Sequence, residues 1–444
     1  MRKIQLAISF LLVLFLFGVE NGFSQEARAR WEKMNQIRKD KFDVILPQVM
    51  RENQIDMWIT VMKDGSYDPI NQYLGQGFVS SIGFIIFTDR GGDRIERAVL
   101  GVSGYEIKNC GAYDILGPEP TPLDLKKFVE DRNPKRIGVN MSMELGGADG
   151  ISHTEYQYLA KTLGESYIPR LVSAEKLVSD FLYRRVPSEI VAFGAAGHLS
   201  RELEERALSN AVISPGVTTL EDVNWWLQDQ LEARKLEASF GLGSVYINGP
   251  DGVFVASSDS TIIKRGDVVC IDWGLKMMPF YTDLKRMAYV LKEGEREIPA
   301  GIQNAYQQAM MARKIVTDNI KPGKTGKETL ETINRKLEEA GFGLMKTPSD
   351  PPKATNQTEV HTCCHSTGNQ SPHGIGPSLA YFQPKQLQFT IYPTTLLTIE
   401  LFAYTPVPEW GGKKIRIALE DDAIVTEKGV EWLYPISNRM LVIK

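Results

Sequence analysis

The chain has 444 residues, of which 43% are hydrophobic and 24% charged, so it is not a disordered polymer, and its length allows about two or three domains. Its 38 Gly and 23 Pro exclude a collagen-like repeat. Lys+Arg of 51 against Asp+Glu of 55 gives a net charge of −4, with no basic excess to condense on phosphates, which argues against nucleic acid as a partner.

In chain order, residues 1–24 read as an export signal. Arg2 and Lys3 precede the apolar run Leu6–Val19, and Gly22 and Ser24 place small residues at the cleavage point. The run is shorter than the about 20 apolar residues that cross a bilayer. No second long apolar run follows, so the expected mature protein is exported, periplasmic or secreted, without stable membrane insertion. The 4 Cys of so long a chain are not a disulfide framework. His361-Thr362-Cys363-Cys364-His365 lacks zinc-ligand spacing, although an extended strand would put His361, Cys363 and His365 on one face.

Residues 26–180 alternate helical and strand-like segments. Ala27–Asn53 and Leu123–Arg132 carry helical periodicity; Gln54–Val61, Ser81–Thr88, Arg97–Gly101 and Arg136–Val139 read as strands. This alternation predicts a small α/β domain. Leu177–Val186 then leads into Pro187-Ser188-Glu189, a helix start that opens a second block over 187–444. That block repeats itself: Ile213-Ser214-Pro215-Gly216-Val217-Thr218 returns as Ile320-Lys321-Pro322-Gly323-Lys324-Thr325. Each copy lies between two helical patterns, 188–209 and 219–235, then 299–319 and 326–340. Strand-rich sequence follows at 243–291 and 359–427, so the expectation is a pseudo-two-fold α+β domain. Gly323-Lys324-Thr325 is no phosphate loop: Asp318 stands where its first glycine belongs, and a helix precedes it.

Acids stand inside apolar strands of this block. Asp272 lies in Val268–Gly274, and Asp283 is equidistant from it about a turn centred between Met277 and Met278. A simple hairpin would set the two carboxylates side by side. Glu400, within Leu396–Phe402, and Glu420, after Ile415–Leu419, are likewise symmetric about Trp410, beside Gly411-Gly412. Two such pairs would repel and be costly to bury without cations, which predicts a pair of divalent ions. Hard oxygen ligands suit Mn, Co, Fe or Zn, and residue types do not choose among them. Of the 5 His, His153 and His198 read as structural or exposed. His373, in Pro372-His373-Gly374-Ile375-Gly376-Pro377, has glycines that permit close backbone approach and is the strongest ligand candidate; His365 is placed in the cleft.

Asp272-x-Gly274, Asp283, His373-Gly374-Ile375-Gly376, Ile399-Glu400 and Leu419-Glu420-Asp421 with its ending Val425–Gly429 resemble the pita-bread metallohydrolases. These include methionine aminopeptidase, Xaa-Pro aminopeptidase, prolidase and creatinase. The resemblance covers 187–444 as a catalytic domain and 26–180 as a smaller α/β creatinase-type N-terminal domain. It implies an exported dinuclear-metal hydrolase, an aminopeptidase or dipeptidase of Xaa-Pro type acting on short peptides, and a homodimer, as relatives often form. It also implies the ligands: Asp272 on one ion, Asp283 and Glu420 bridging, His373 and Glu400 on the other. Glu400 would carry the proton from water to the leaving amine, with His365 a further catalytic candidate. The histidines such peptidases carry at Ala380 and near Ala256-Ser257 are absent here, with His361, His365, Tyr381 and Arg416 as candidate replacements. These departures keep open a metal-dependent lyase, an amidinohydrolase, or a binding protein without catalysis.

Overall fold

The computed structural model describes residues 26–66, 68–249, 254–255, 260–353 and 355–444. The export segment and the Ala256-Ser257 position lie outside the described residues. Among those described, no helix is long and apolar enough to cross a membrane.

Six strands form the first sheet: β1 (Met57–Lys63), β2 (Phe78–Thr88), β3 (Glu96–Ser103), β4 (Ile115–Gly117), β5 (Ile137–Val139) and β6 (Leu171–Ser173), in the order β4-β3-β2-β1-β5-β6. β1 is apolar almost throughout because both of its faces are covered. Trp58 and Met62 pack with Ile37, Phe42 and Leu46 of the helix Glu26–Glu52. Met57, Ile59 and Val61 pack with Leu125 and Leu159 of the helices Pro122–Glu130 and His153–Leu163. The chain then passes through the helix Glu175–Tyr183 into Pro187–Ala207, where Pro187 opens the helix as its sequence predicts.

The remaining strands are β7 (Glu237–Ala238), β8 (Ser244–Asn248), β9 (Phe254–Val255), β10 (Val268–Trp273), β11 (Leu275–Met277), β12 (Phe280–Tyr281), β13 (Leu284–Val290), β14 (Gly343–Leu344), β15 (Glu359–Thr362), β16 (His365–Ser366), β17 (Leu396–Pro406), β18 (Lys414–Thr426), β19 (Gly429–Trp432) and β20 (Leu441–Ile443). The large sheet runs β14-β15-β17-β18-β13-β10-β8-β9, while β7, β11 and β12 form a small one. The repeat is visible in the turns. Gly216 N–H donates to Ile263 O and Gly323 N–H to Ile391 O, each at 2.8 Å. Thr219 with Asp222 and Thr325 with Glu328 close matching capping boxes on the helices Leu220–Glu232 and Gly326–Glu339.

Strand periodicity sorts the large sheet into two faces. Arg286 and Asp421 point toward the helices, where Asp421 accepts from Arg286 Nη2 at 2.6 Å and from Arg313 Nη1 of the helix Ala300–Asn319 at 2.8 Å. Their neighbours Lys285 and Glu420 therefore point to the opposite face.

One hairpin expectation is corrected. Glu400 and Glu420 are direct cross-strand partners, as their symmetric spacing predicts. Asp272, however, pairs with Lys285 and not with Asp283. The connection is not a simple turn: β11 and β12 leave the sheet and pair with each other, and β11 pairs also with β7. A side chain at Gly274 would collide with the Thr282 carbonyl, so this position has no room for a Cβ where the two strands pinch together. The pinch shifts the register and leaves Asp283 just ahead of β13.

Candidate metal centre

Four adjacent strands, β10, β13, β18 and β17, place one residue each in a row on the open face: Asp272, Lys285, Glu420 and Glu400. Each is the register partner of the next. Asp283, two residues before Lys285 and hence on its side of the strand, adds a fourth carboxylate. Asp283, Glu400 and Glu420 are buried, while Asp272 is partly exposed at the edge of the cluster.

β16 pairs with β17 within the large sheet and carries His365 into this cluster. Its Nε2 lies 3.6 Å from Glu420 Oε1 and 3.8 Å from both Asp283 Oδ2 and Glu400 Oε2. His365 Nδ1 is 3.1 Å from Ser366 O; a carbonyl only accepts, so Nδ1 carries the proton and Nε2 turns its lone pair toward the acids. His373 meets His365 edge to face, with ring centroids 4.5 Å apart, and is exposed at the cleft mouth. The glycine-rich segment allows that approach, since a Cβ on Gly376 would run into Ser366 and Tyr183. Ligand atoms of Asp283, His365 and His373 lie within 4.8 Å of one another, as do those of His365, Glu400 and Glu420, and of Asp272, Asp283 and Glu420.

The electrostatics follow from this crowding. Burial, then the Glu420 and Asp272 charges, hold the Asp283 carboxyl well above its usual range. Burial and Glu400 do the same to Glu420. Burial also opposes ionisation of Glu400, but Lys285, His365 and the Cys363 thiol outweigh it and lower the carboxyl to about 2. Burial disfavours the Lys285 ammonium, and the surrounding carboxylates more than reverse this, so its pKa is raised well above normal. Loss of solvent around the ring, with His365 beside it, lowers His373 to about 4.

All six residues singled out from the sequence, Asp272, Asp283, His365, His373, Glu400 and Glu420, converge here. His365 sits deeper than a cleft-lining role requires, among the acids themselves. His153 and His198 are exposed on helices, as expected. The His361–His365 run keeps one register along β17, broken only in its ladder at Cys363-Cys364: the Cys363 thiol donates to Glu400 Oε2 at 3.0 Å, and His361 Nδ1 lies 3.1 Å from Met345 O. Cys110, Cys270, Cys363 and Cys364 are buried and free. Ala380 is buried, while Tyr381 and Phe382 stand exposed at the rim, Phe382 within 5.1 Å of the His373 ring.

Two partners of the acids escaped the sequence reading: Cys363 and Lys285. Lys285 Nζ lies 3.1 Å from Asp272 Oδ2 and 2.7 Å from Glu400 Oε1, and it also donates to Glu420 Oε2. The signal for it was present, a lysine two residues after Asp283 and so on the same face of a strand that is apolar apart from Lys285 and Arg286.

Comparison with known proteins places this site. Metallopeptidase family M24 matches residues 192–427, the span that contains every residue of the cluster. The chain belongs to metallopeptidase family M24. It is similar to the uncharacterized peptidase YqhT of Bacillus subtilis (strain 168), 25% identical over 375 residues covering 80% of this chain and 88% of YqhT. Likeness of fold to solved structures extends beyond this span to the N-terminal sheet. The X-Pro aminopeptidase from Thermotoga maritima MSB8 superposes with a TM-score of 0.65 at 18% identity, over 89% of this chain and 99% of that one. The Xaa-Pro dipeptidase from Bacillus anthracis gives 0.59 at 19% identity over 92% and 100%. The architecture is the pita-bread fold with an N-terminal α/β domain, and the chain is an M24 hydrolase of a family that binds divalent metals.

The donor set suits such an ion. Asp283 Oδ1, Glu420 Oε1 and His365 Nε2 are buried atoms without a hydrogen-bond partner, and all belong to the cluster. A lone pair and carboxylate oxygens facing each other at these distances repel unless a cation lies among them.

Proposed function

We propose that this chain is an exported metallohydrolase that removes or splits off residues from short, proline-containing peptides, with residues 1–24 as its signal, 26–180 as an N-terminal domain and 187–444 as the catalytic one. The observation that carries the reading is the convergence of Asp283, His365, His373, Glu400 and Glu420 at the open face of the sheet. The likeness of nearly the whole chain, both sheets included, to an X-Pro aminopeptidase and an Xaa-Pro dipeptidase supports the substrate class.

A divalent ion bound there supplies Lewis acidity toward a peptide carbonyl and lowers the pKa of a water. Asp283, His365, His373 and Glu420 are the residues to hold it. Glu400, ionised and fixed between Lys285 and Cys363, is placed to take a proton from the attacking water and return it to the leaving nitrogen. Tyr381 and Phe382 at the rim offer an apolar wall to a prolyl ring.

The chain reconstituted with Mn(II) or Co(II) is expected to hydrolyse Xaa-Pro dipeptides or tripeptides, and Asp283→Asn to abolish turnover. Metal-loaded protein that cleaves none of them removes the peptidase reading. Ala380, buried where the sequence resemblance implies a substrate-facing histidine, favours a second reading: a lyase or amidinohydrolase on the same fold. Small amidines and sulfonium acids screened beside the peptides separate the two.

A further inference from the structure

The two-ion count expected from the sequence meets an obstacle in Lys285. Of the three groups of ligand atoms among the described residues that are close enough to share an ion, one consists of Asp272, Asp283 and Glu420. Lys285 Nζ is bonded to two of those three acids, and to Glu400 as well. The backbone imposes this. Lys285 is the register partner of Asp272 on one side and of Glu420 on the other, so its side chain rises between theirs. It is 5% exposed, and Phe402 lies against the ammonium at 5.6 Å from the ring centroid.

The unsatisfied atoms divide accordingly. Asp272 Oδ2, Glu400 Oε1 and Glu420 Oε2 all receive the lysine. Asp283 Oδ1, Glu420 Oε1 and His365 Nε2 receive nothing. One half of the cluster has its cation built into the chain, and the other half still lacks one.

We infer that Lys285 permanently occupies the place of one of the two ions, so that the centre takes a single divalent metal, held by Asp283, His365 and Glu420 with His373 completing the set. The ammonium supplies fixed positive charge beside Glu400 and Glu420 without an exchangeable ligand position, and a bridging water between two metals has no place. Asp272 then acts as a positioning residue for Lys285.

The inference rests on the metal centre proposed above but not on its substrate, because the count is read without turnover. Metal-depleted full chain is titrated with Mn(II), with bound metal measured after dialysis and the electron paramagnetic resonance spectrum recorded at saturation. The expected result is one ion per chain and the uncoupled hyperfine pattern of isolated Mn(II). Lys285→Thr is expected to take up a second ion and to show exchange coupling. Lys285→Met, close to lysine in shape, serves if the threonine variant does not fold, and Lys285→Arg should stay at one. Two coupled ions in the unaltered chain overturn the inference. So does no bound ion at millimolar Mn(II), or a folded uncharged variant that remains at one. Failure to cleave peptides with one ion bound would remove the peptidase reading and leave the count standing.

Discussion

Lys285 is the cross-strand partner of Asp272, and its Nζ lies 3.1 Å from Asp272 Oδ2. The pair stands at one end of a row that continues through Glu420 to Glu400, so the lysine is the counter-ion of three acids at once. Removing one member of a buried ion cluster leaves the others uncompensated, which typically costs about 3–5 kcal/mol. Lys285→Met is therefore expected to lose stability of this order in the presence of a chelator. A metal that binds only the folded chain restores about 2.7 kcal/mol at a hundredfold excess over its Kd. Denaturant titrations of the variant with and without Mn(II) measure both figures, and a loss that Mn(II) does not reduce would show that the acids no longer present a cation site.

The two histidines should be unequal. His365 is buried with Nε2 among the acids, while His373 approaches from the exposed mouth. Disturbing a group outside the ligand set costs about 10–100-fold in metal affinity. His365→Ala, which removes a ligand, is expected to exceed that range, and His373→Ala to cost less than His365→Ala. Mn(II) titration of each variant gives the order; equal losses would place both histidines at the same depth around the ion.

How much of this was legible in the sequence depended on whether one strand or several decided the outcome. Glu400 opposite Glu420 could be read because Gly411-Gly412 closes a continuous hairpin and the register is set by counting from its tip. Asp272 opposite Asp283 could not, because the intervening residues form strands of a separate sheet and the count is broken. The helix Glu26–Glu52 and the apolar strands β1 to β3 follow from periodicity alone. Lys285 was missed because its meaning lies in β10 and β18, on either side of its own strand. His365 was underestimated because its depth comes from β16 holding to β17 in the register that β15 begins, which sets His365 opposite Thr398, two residues from Glu400, and such a cross-strand neighbour cannot be read from its own segment.

Asp421 offers a control on the other face of the same strand. Next to Glu420, it points to the helices and binds Arg286 and Arg313, both buried. Asp421→Asn removes the charge shared by two arginines and is expected to destabilise the fold by about 3 kcal/mol. Its Mn(II) affinity should stay within a few-fold of the original, because the affected bonds lie across the sheet from the ion. Glu420→Gln, one residue away, should lose the ion. Chemical denaturation beside metal titration separates the two, and equal metal loss in both would mean that Asp421 acts by orienting Glu420.

A pH effect is expected outside the acid cluster. Lys41, on the helix Glu26–Glu52, is 1% exposed and donates to Glu189 Oε2 and to Arg184 O, each at 3.1 Å, tying that helix to the start of Pro187–Ala207. Burial lowers its pKa from 10.5 to about 8, with Glu189 opposing the shift and Arg185 adding to it. The unfolded chain keeps this proton up to its ordinary pKa while the folded chain sheds it from about 8 upward. The unfolded state thus binds more protons across that window, and this group's contribution to stability rises with pH. Its slope is at most about 1.4 kcal/mol per pH unit, or on the order of 3 kcal/mol over the whole interval. Lys41→Met lacks the term, so the difference in unfolding free energy, original minus variant, should move in favour of the original chain between pH 8 and about 10.5. Urea denaturation of both proteins at stepped pH measures that difference, and a flat profile would show that Lys41 keeps its proton in the fold.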